Sequence, residues 1–288
     1  MASGGFYDRL KVSRAEGGSP EGEELEACVE NTVAALLSSE TDARRPGMLL
    51  GKIQSGKTRA FLGIIASAFD NGFDVAVVLT KGTKTLAQQT VNRISKEYRV
   101  FRDAEELAVF DIMNVPNLTD WEIDGHKLIF VAKKETNNMR RLVKLFAETH
   151  TRLRSKRVLI VDDEADFASI RFTKKKGSND IEQGRIADRI DELRRELSSP
   201  AVLQVTATPY SLYLQPDEYE TTPGQNFTFE PKRPAFTQLV PIHGGYVGGD
   251  EYFGEHEEDA PEFYLWHPVS DDELTALQKG GSPPRPYR

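Results

Sequence analysis

The chain has 288 residues, 39% of them hydrophobic and 28% charged, with a formal net charge of −8. This is the balance of an ordinary globular protein, long enough for one large domain with appendages; no apolar run approaches the roughly 18 residues that span a bilayer, and residues 1–8 lack a signal-peptide pattern. A single cysteine, Cys28, excludes an internal disulfide framework and suits the cytosol.

Residues 1–20 are rich in glycine, serine and charge and read as loose. From residue 20 to 37, Leu25, Val29, Val33, Leu36 and Leu37 recur at helical spacing. A short apolar strand follows from Met48, then the segment Gly51-Lys52-Ile53-Gln54-Ser55-Gly56-Lys57-Thr58, then a helical pattern from Arg59 to Phe69. Further along, 74–80 reads as a strand, 83–98 as a helix, 107–113 and 127–132 as strands, and 136–153 as a helix. A strand at 158–162, a charged helix at 183–197 and a strand at 202–206 complete the series. Strands alternating with helices predict an α/β fold with a parallel, doubly wound sheet and helices on both faces. After Pro209 the periodicity fades, and residues 215–288 hold ten of the fifteen prolines. The expected organisation is an N-terminal extension and helix at 1–40, the α/β domain at 41–215, and an irregular acidic Pro/Gly-rich C-terminal extension or linker at 216–288.

Residues 51–58 fit the P-loop pattern G-x-x-x-x-G-K-[ST], and each fixed position has a physical task. Gly51 and Gly56 let the backbone turn tightly with its N–H groups aimed inward. With Gln54 and Ser55 they form the loop expected to cradle the phosphates of ATP. Lys57 is expected to reach the β- and γ-phosphates, and the Thr58 hydroxyl to ligate Mg²⁺. The phosphate would sit at a helix N-terminus, where free N–H groups and the macrodipole favour an anion.

The run Arg157-Val158-Leu159-Ile160-Val161-Asp162-Asp163-Glu164-Ala165-Asp166 reads as a buried central strand that ends in carboxylates. Such carboxylates emerge at the sheet edge where α/β proteins bind ligands. Asp163 is the candidate Mg²⁺ ligand and Glu164 the candidate residue for polarising the attacking water. A third strand ends at Thr206-Ala207-Thr208-Pro209, where Thr206 and Thr208 can hydrogen-bond the carboxylates; a strand end before a proline-bearing turn is the plainer reading.

Together these segments resemble motifs I, II and III of the superfamily 2, DEAD-box-like helicases and translocases, in the first of their two RecA-like domains. The resemblance covers about residues 45–215, and 106 residues separate Lys57 from Asp163. Shorter strings, namely 54–58, 130–134, 162–166 and 244–254, are similar to the bacterial Z-one family of endonuclease-associated ATPases. The resemblance implies a P-loop ATPase with ATP and Mg²⁺ as cofactors, acting on nucleic acid, DNA rather than RNA, in restriction or phage defence. It also implies a second RecA-like domain or partner subunit that supplies an arginine finger. Lys81 falls in the element with which the family touches the nucleic-acid backbone, and Lys133 and Lys134 are further candidate nucleic-acid-binding residues.

A basic segment at 133–157 carries Lys133, Lys134, Arg140, Arg141, Lys144, Arg152, Arg154, Lys156 and Arg157. It reads equally as a nucleic-acid footprint or as a solvated helix face. Two other functions stay open: a P-loop switch or assembly module with no nucleic-acid role, and a non-catalytic module that keeps the fold. The five histidines are scattered without metal-ligand spacing.

Overall fold

The computed structural model describes residues 5–42, 45–53, 55–80, 84–165, 189–190, 192–208, 233–244, 246, 248 and 274–275. The chain divides into two compact units, Met1–Ile242 and His243–Arg288. In the second, the rings of His243 and Tyr246 meet edge-on at 6.2 Å. Most of the 244–254 string lies outside the described residues.

The first unit is built on seven strands: β1 (Gly47–Leu50), β2 (Val75–Thr80), β3 (Leu107–Asp111), β4 (Lys127–Lys133), β5 (Arg157–Asp163), β6 (Ser199–Thr206) and β7 (Phe236–Leu239). They form one sheet in the order β3-β4-β2-β5-β6-β1-β7. Every pairing is parallel. Parallel strands covered on both faces are apolar throughout, and the strand burial follows this: all six residues of β2 are buried. This is an α/β, RecA-like P-loop fold, as the sequence predicts. The strand β7 lies in a stretch where the sequence has no period; it pairs with β1, Gly47 opposite Phe236.

Side chains alternate across the sheet. Leu49, Val78, Val131, Val161 and Val205 point into one core with helices α1 (Phe6–Glu16), α2 (Glu23–Ser38), α3 (Lys57–Asp70) and α4 (Lys84–Glu97). Val77, Phe130, Ile160 and Val202 point into the other, with Met139 and Leu142 of α7 (Thr136–Lys144) and with Ile190 and Leu193. Between α4 and α7 lie two short helices, α5 (Arg99–Asp103) and α6 (Asp120–Gly125). The latter is fixed by a capping box in which Thr119 and Glu122 satisfy each other's backbone N–H groups.

Residues 6–16 are not loose. Helix α1 is pinned where Asp70, the last residue of α3, accepts the N–H groups of Phe6 (2.6 Å) and Tyr7 (2.8 Å). Its far end is held by Arg14, a buried guanidinium that pairs with Glu21 and Glu97. It also donates to the Arg59 carbonyl at 3.0 Å. Together α1 and α2 cover the outer side of α3, which explains why every residue from Ala60 to Phe69 is buried. Gly63 permits the approach: a Cβ there would lie 2.9 Å from Val29 Cγ2. The helix expected at 136–153 also differs. It is α-helical only to Lys144, then passes through a π turn at Leu145–Thr149 and a 3₁₀ turn at Thr151–Ser155. That break buries Leu145, Phe146 and Leu153 together against the second core.

Candidate nucleotide site

The loop after β1 and the turn after β5 leave the same, carboxyl-terminal edge of the sheet, with β6 between them. The backbone ties these elements together. Gly51 N–H donates to the Thr206 carbonyl at 3.1 Å, and Val240 N–H donates to the Leu50 carbonyl at 2.8 Å. The Thr206 hydroxyl, buried, accepts the Thr208 N–H at 3.0 Å. It therefore shapes its own turn. Gln54 and Lys81 lie outside the described residues.

Two glycines are explained by geometry. Gly56 has φ +88° at the N-cap of α3, a conformation that disfavours any side chain. A Cβ on Gly51 would fall 2.6 Å from Ser55 Oγ and 2.9 Å from Lys57 Cγ. The first turn of α3 contains Lys57 and Arg59, has no acidic residue and receives no side-chain cap. Cations at a helix N-terminus oppose the macrodipole, so this turn is arranged for an anion and not for the helix's own stability. Lys57 Nζ donates to the carbonyls of Lys52 (2.7 Å) and Gly51 (3.3 Å). Ser55 Oγ is buried without a hydrogen-bond partner among the described residues. A cradle a Cβ would fill and an orphaned hydroxyl at a helix N-terminus fit a bound phosphate chain.

The alternation of β5 separates its two aspartates. Asp163 shares the side of Val161 and therefore of α3, while Asp162 shares the side of Ile160. Asp163 lies in register with Val205, whose neighbour on β1 is Leu49. Burial, with the adjacent Glu164 carboxylate, pushes the Asp163 carboxyl up to about 6 against the pull of Lys134. Its Oδ1 accepts the Glu164 N–H at 3.0 Å. Glu164 is exposed and holds φ +53°. Among the described residues no three His, Cys, Asp or Glu side chains gather as a metal cluster. The Thr58 hydroxyl and the Asp163 carboxylate are hard oxygen donors, the type that suits Mg²⁺ with one or two protein ligands and substrate phosphates.

Lys134 is not placed for the surface role the sequence suggests. Its side chain is 4% exposed and its ammonium pairs with Asp162 at 2.9 Å. Lys133 is partly exposed and stands 3.9 Å from Glu135. The basic segment splits: Arg152 pairs with Asp120 and Asp124, Arg154 with Glu196, and Lys156 with Asp124. Arg140 and Arg141 of α7 are exposed and make no ion pair among the described residues.

One further residue touches the site, and another lies on the Asp162 face of the sheet. Arg93 of α4 donates to Thr58 Oγ1 at 3.3 Å. Gln204, in register with both Asp162 and Met48, has a buried Oε1 without a partner. Neither has a signature in the sequence: Arg93 lies mid-helix, and Gln204 is one polar residue within an apolar strand.

No protein-family model matches the chain, and no curated protein does. Among solved structures it is similar to the DUF1998 helicase MrfA. The form bound to DNA and AMPPNP is 16% identical, with 82% of this chain and 29% of that chain covered and a TM-score of 0.45. The DNA-bound form is 15% identical over 81% and 29%, with a TM-score of 0.49. A third structure is 17% identical over 69% and 29%, with a TM-score of 0.44. The chain thus spans 29% of the length of the chains it resembles.

Proposed function

We propose that the Met1–Ile242 unit is the ATP-binding and ATP-hydrolysing RecA-like domain of a superfamily 2-like nucleic-acid translocase or helicase, acting on DNA in restriction or phage defence. The observation that carries this reading is that Asp163 lies on the α3 side of the sheet, one strand from the P-loop strand. In this proposal Gly51, Gln54, Ser55 and Gly56 form the loop that holds the phosphates. Lys57 leaves the carbonyls of Gly51 and Lys52 to neutralise phosphate charge. Thr58 and Asp163 would hold Mg²⁺, which when bound neutralises charge on the phosphate oxygens. Glu164 orients and polarises the attacking water. Thr206 and Thr208 couple the turn after β6 to the P-loop through the Gly51–Thr206 bond. Lys133, with Arg140 and Arg141, would meet the nucleic-acid backbone. An arginine from a second RecA-like domain or a partner subunit completes the site, so this chain alone turns ATP over slowly.

Calorimetry of Mg²⁺-ATP binding to the wild type and Lys57→Ala tests the core of the reading. Loss of a charge-assisted contact should weaken binding about tenfold or more; equal affinities would sink it. A second reading, a P-loop switch without nucleic acid, is favoured by the burial of Lys134 and the net charge of −8. Binding to a DNA duplex that weakens steeply with salt selects the translocase. No binding at low salt selects the switch.

A further inference from the structure

We propose that Lys134 is a positioning residue whose ammonium clamps the Asp163–Glu164 turn. The proposal rests on the nucleotide reading for its functional consequence, and on the following geometry for the clamp itself.

Glu164 holds φ +53°, a left-handed conformation that a residue with a Cβ keeps when its surroundings impose it. Its own side chain is exposed, so no packing of that side chain imposes it. What meets the turn is Lys134. Nζ donates to the Asp163 carbonyl at 2.6 Å and to the Glu164 carbonyl at 2.7 Å. It also lies 2.9 Å from Asp162 Oδ1. Two of the ammonium's three protons go to these carbonyls, and its charge pairs with Asp162, so three successive residues hold one Nζ.

The sheet order explains why the residue is a lysine. Between β4 and β5 lies β2, so a group at the end of β4 must cross a whole strand to reach β5. The Lys134 N–H donates to the Thr80 carbonyl at 2.8 Å, which carries the chain over the end of β2. The long stem then spans the remaining gap with a point charge at its tip. Arginine has the length, but its planar, delocalised fork does not set one compact charge against two carbonyls and a carboxylate. The clamp is anchored from behind, because Glu135 accepts the N–H of Asn137 and the amide of Asn138 at the start of α7. Lys134 thus joins the ends of β2, β4 and β5, and the two residues proposed to act on Mg²⁺ and water sit on the turn it grips.

The test uses the full chain as wild type, Lys134→Met and Lys134→Arg. Hydrogen–deuterium exchange of the nucleotide-free protein should quicken about tenfold or more at residues 163–165 in Lys134→Met. Peptides of β1 and α3 should keep their wild-type rates. The Mg²⁺-ATP dissociation constant should stay within about threefold of wild type. The single-turnover rate of ATP cleavage should fall about 100-fold, the scale of a misplaced catalytic group. Lys134→Arg should stay closer to the methionine variant than to wild type. Unchanged exchange at 163–165 overturns the clamp, as does affinity lost in proportion to rate, which would make Lys134 a nucleotide contact. Faster exchange at 163–165 in a protein whose wild type does not cleave ATP supports the clamp and defeats the nucleotide reading. If Lys134→Met exchanges everywhere, Lys134→Gln repeats the measurement; global unfolding of both assigns Lys134 to the core and overturns the proposal.

Discussion

Asp162 and Asp163 are neighbours in sequence and face opposite sides of the sheet. Asp162 lies beneath the α7 side, 2.9 Å from the Lys134 ammonium, with both side chains under 5% exposed. Asp163 lies on the α3 side, where burial pushes its carboxyl up. One is half of a buried ion pair, and the other is a carboxylate without a cation of its own on the P-loop side.

Removing Asp162 should therefore be a stability lesion. A buried pair that loses one partner leaves an uncompensated charge, at a cost of about 3–5 kcal/mol. The two carbonyls that also hold Lys134 put Asp162→Asn at the lower end of that range. Urea denaturation measures it, and a loss below about 1 kcal/mol, the scale of an exposed pair, would contradict the buried pairing.

Asp163→Asn should do the reverse in the nucleotide-free protein. The folded carboxyl titrates at about 6 and the unfolded one at its ordinary 3.8. Between those values the folded state binds more protons than the unfolded state, so this group's contribution to stability falls as pH rises. Above about pH 6 the penalty is complete, on the order of 3 kcal/mol. The asparagine variant should melt higher than wild type at pH 7.5, with the difference shrinking as pH falls toward 4. A difference that grows on acidification would mean that Asp163 is held as a carboxylate.

Gly51→Ala should harm the loop more than the fold. Its Cβ would meet Ser55 Oγ at 2.6 Å, Lys57 Cγ at 2.9 Å and Val240 Cβ at 3.0 Å. Relief requires the loop to shift, at about 1–3 kcal/mol, and the atoms displaced belong to the phosphate cradle. Melting curves and nucleotide calorimetry on the same sample check this. A variant that melts lower and binds ATP as wild type does would place the loop away from the phosphates.

Much of this arrangement is legible in the sequence because its signals are local. The apolar runs at Val75–Thr80 and Arg157–Asp163 are strands, and the pattern 51–58 falls between a strand and a helix. Alternation along β5 even separates Asp162 from Asp163 once the P-loop face is known. What escapes is held by contacts distant in sequence. Helix α1 buries just Tyr7 and Leu10 of its apolar residues, and its buried anchor is Arg14, whose partners are Glu21 and Glu97. Lys134 reads as a surface cation until the order β4-β2-β5 brings it over Asp162. By contrast, the capping box of α6 is a local signal, Thr119 followed three residues later by Glu122.

The Arg14 anchor gives a test of whether α1 belongs to the core. Arg14→Ala removes the ion-pair partner of Glu21, whose side chain is fully buried. It also removes the bond to the Arg59 carbonyl in the first turn of α3. The expected loss is about 3–5 kcal/mol, read by denaturant unfolding. Limited proteolysis should also open the chain between α1 and α2. A stable variant still protected there would mean that the apolar contacts of Tyr7 and Leu10 hold α1 unaided.

Glu164→Gln should bind Mg²⁺-ATP and scarcely hydrolyse it. The side chain is exposed beside Asp163, at the end of β5, with β6 between it and the P-loop strand β1. Glutamine keeps the shape and the left-handed turn, because Lys134 grips backbone carbonyls and not the Glu164 carboxylate. What it loses is the negative charge that polarises water, a contribution of about 10²–10⁴-fold in rate. Rapid-quench measurement under single-turnover conditions isolates the chemical step from product release, and calorimetry on the same protein reports affinity. A large loss of rate at wild-type affinity assigns the water to Glu164. An undiminished rate moves that task to another carboxylate. Asp163 is the first candidate, because its raised titration near 6 would let it exchange a proton close to neutral pH.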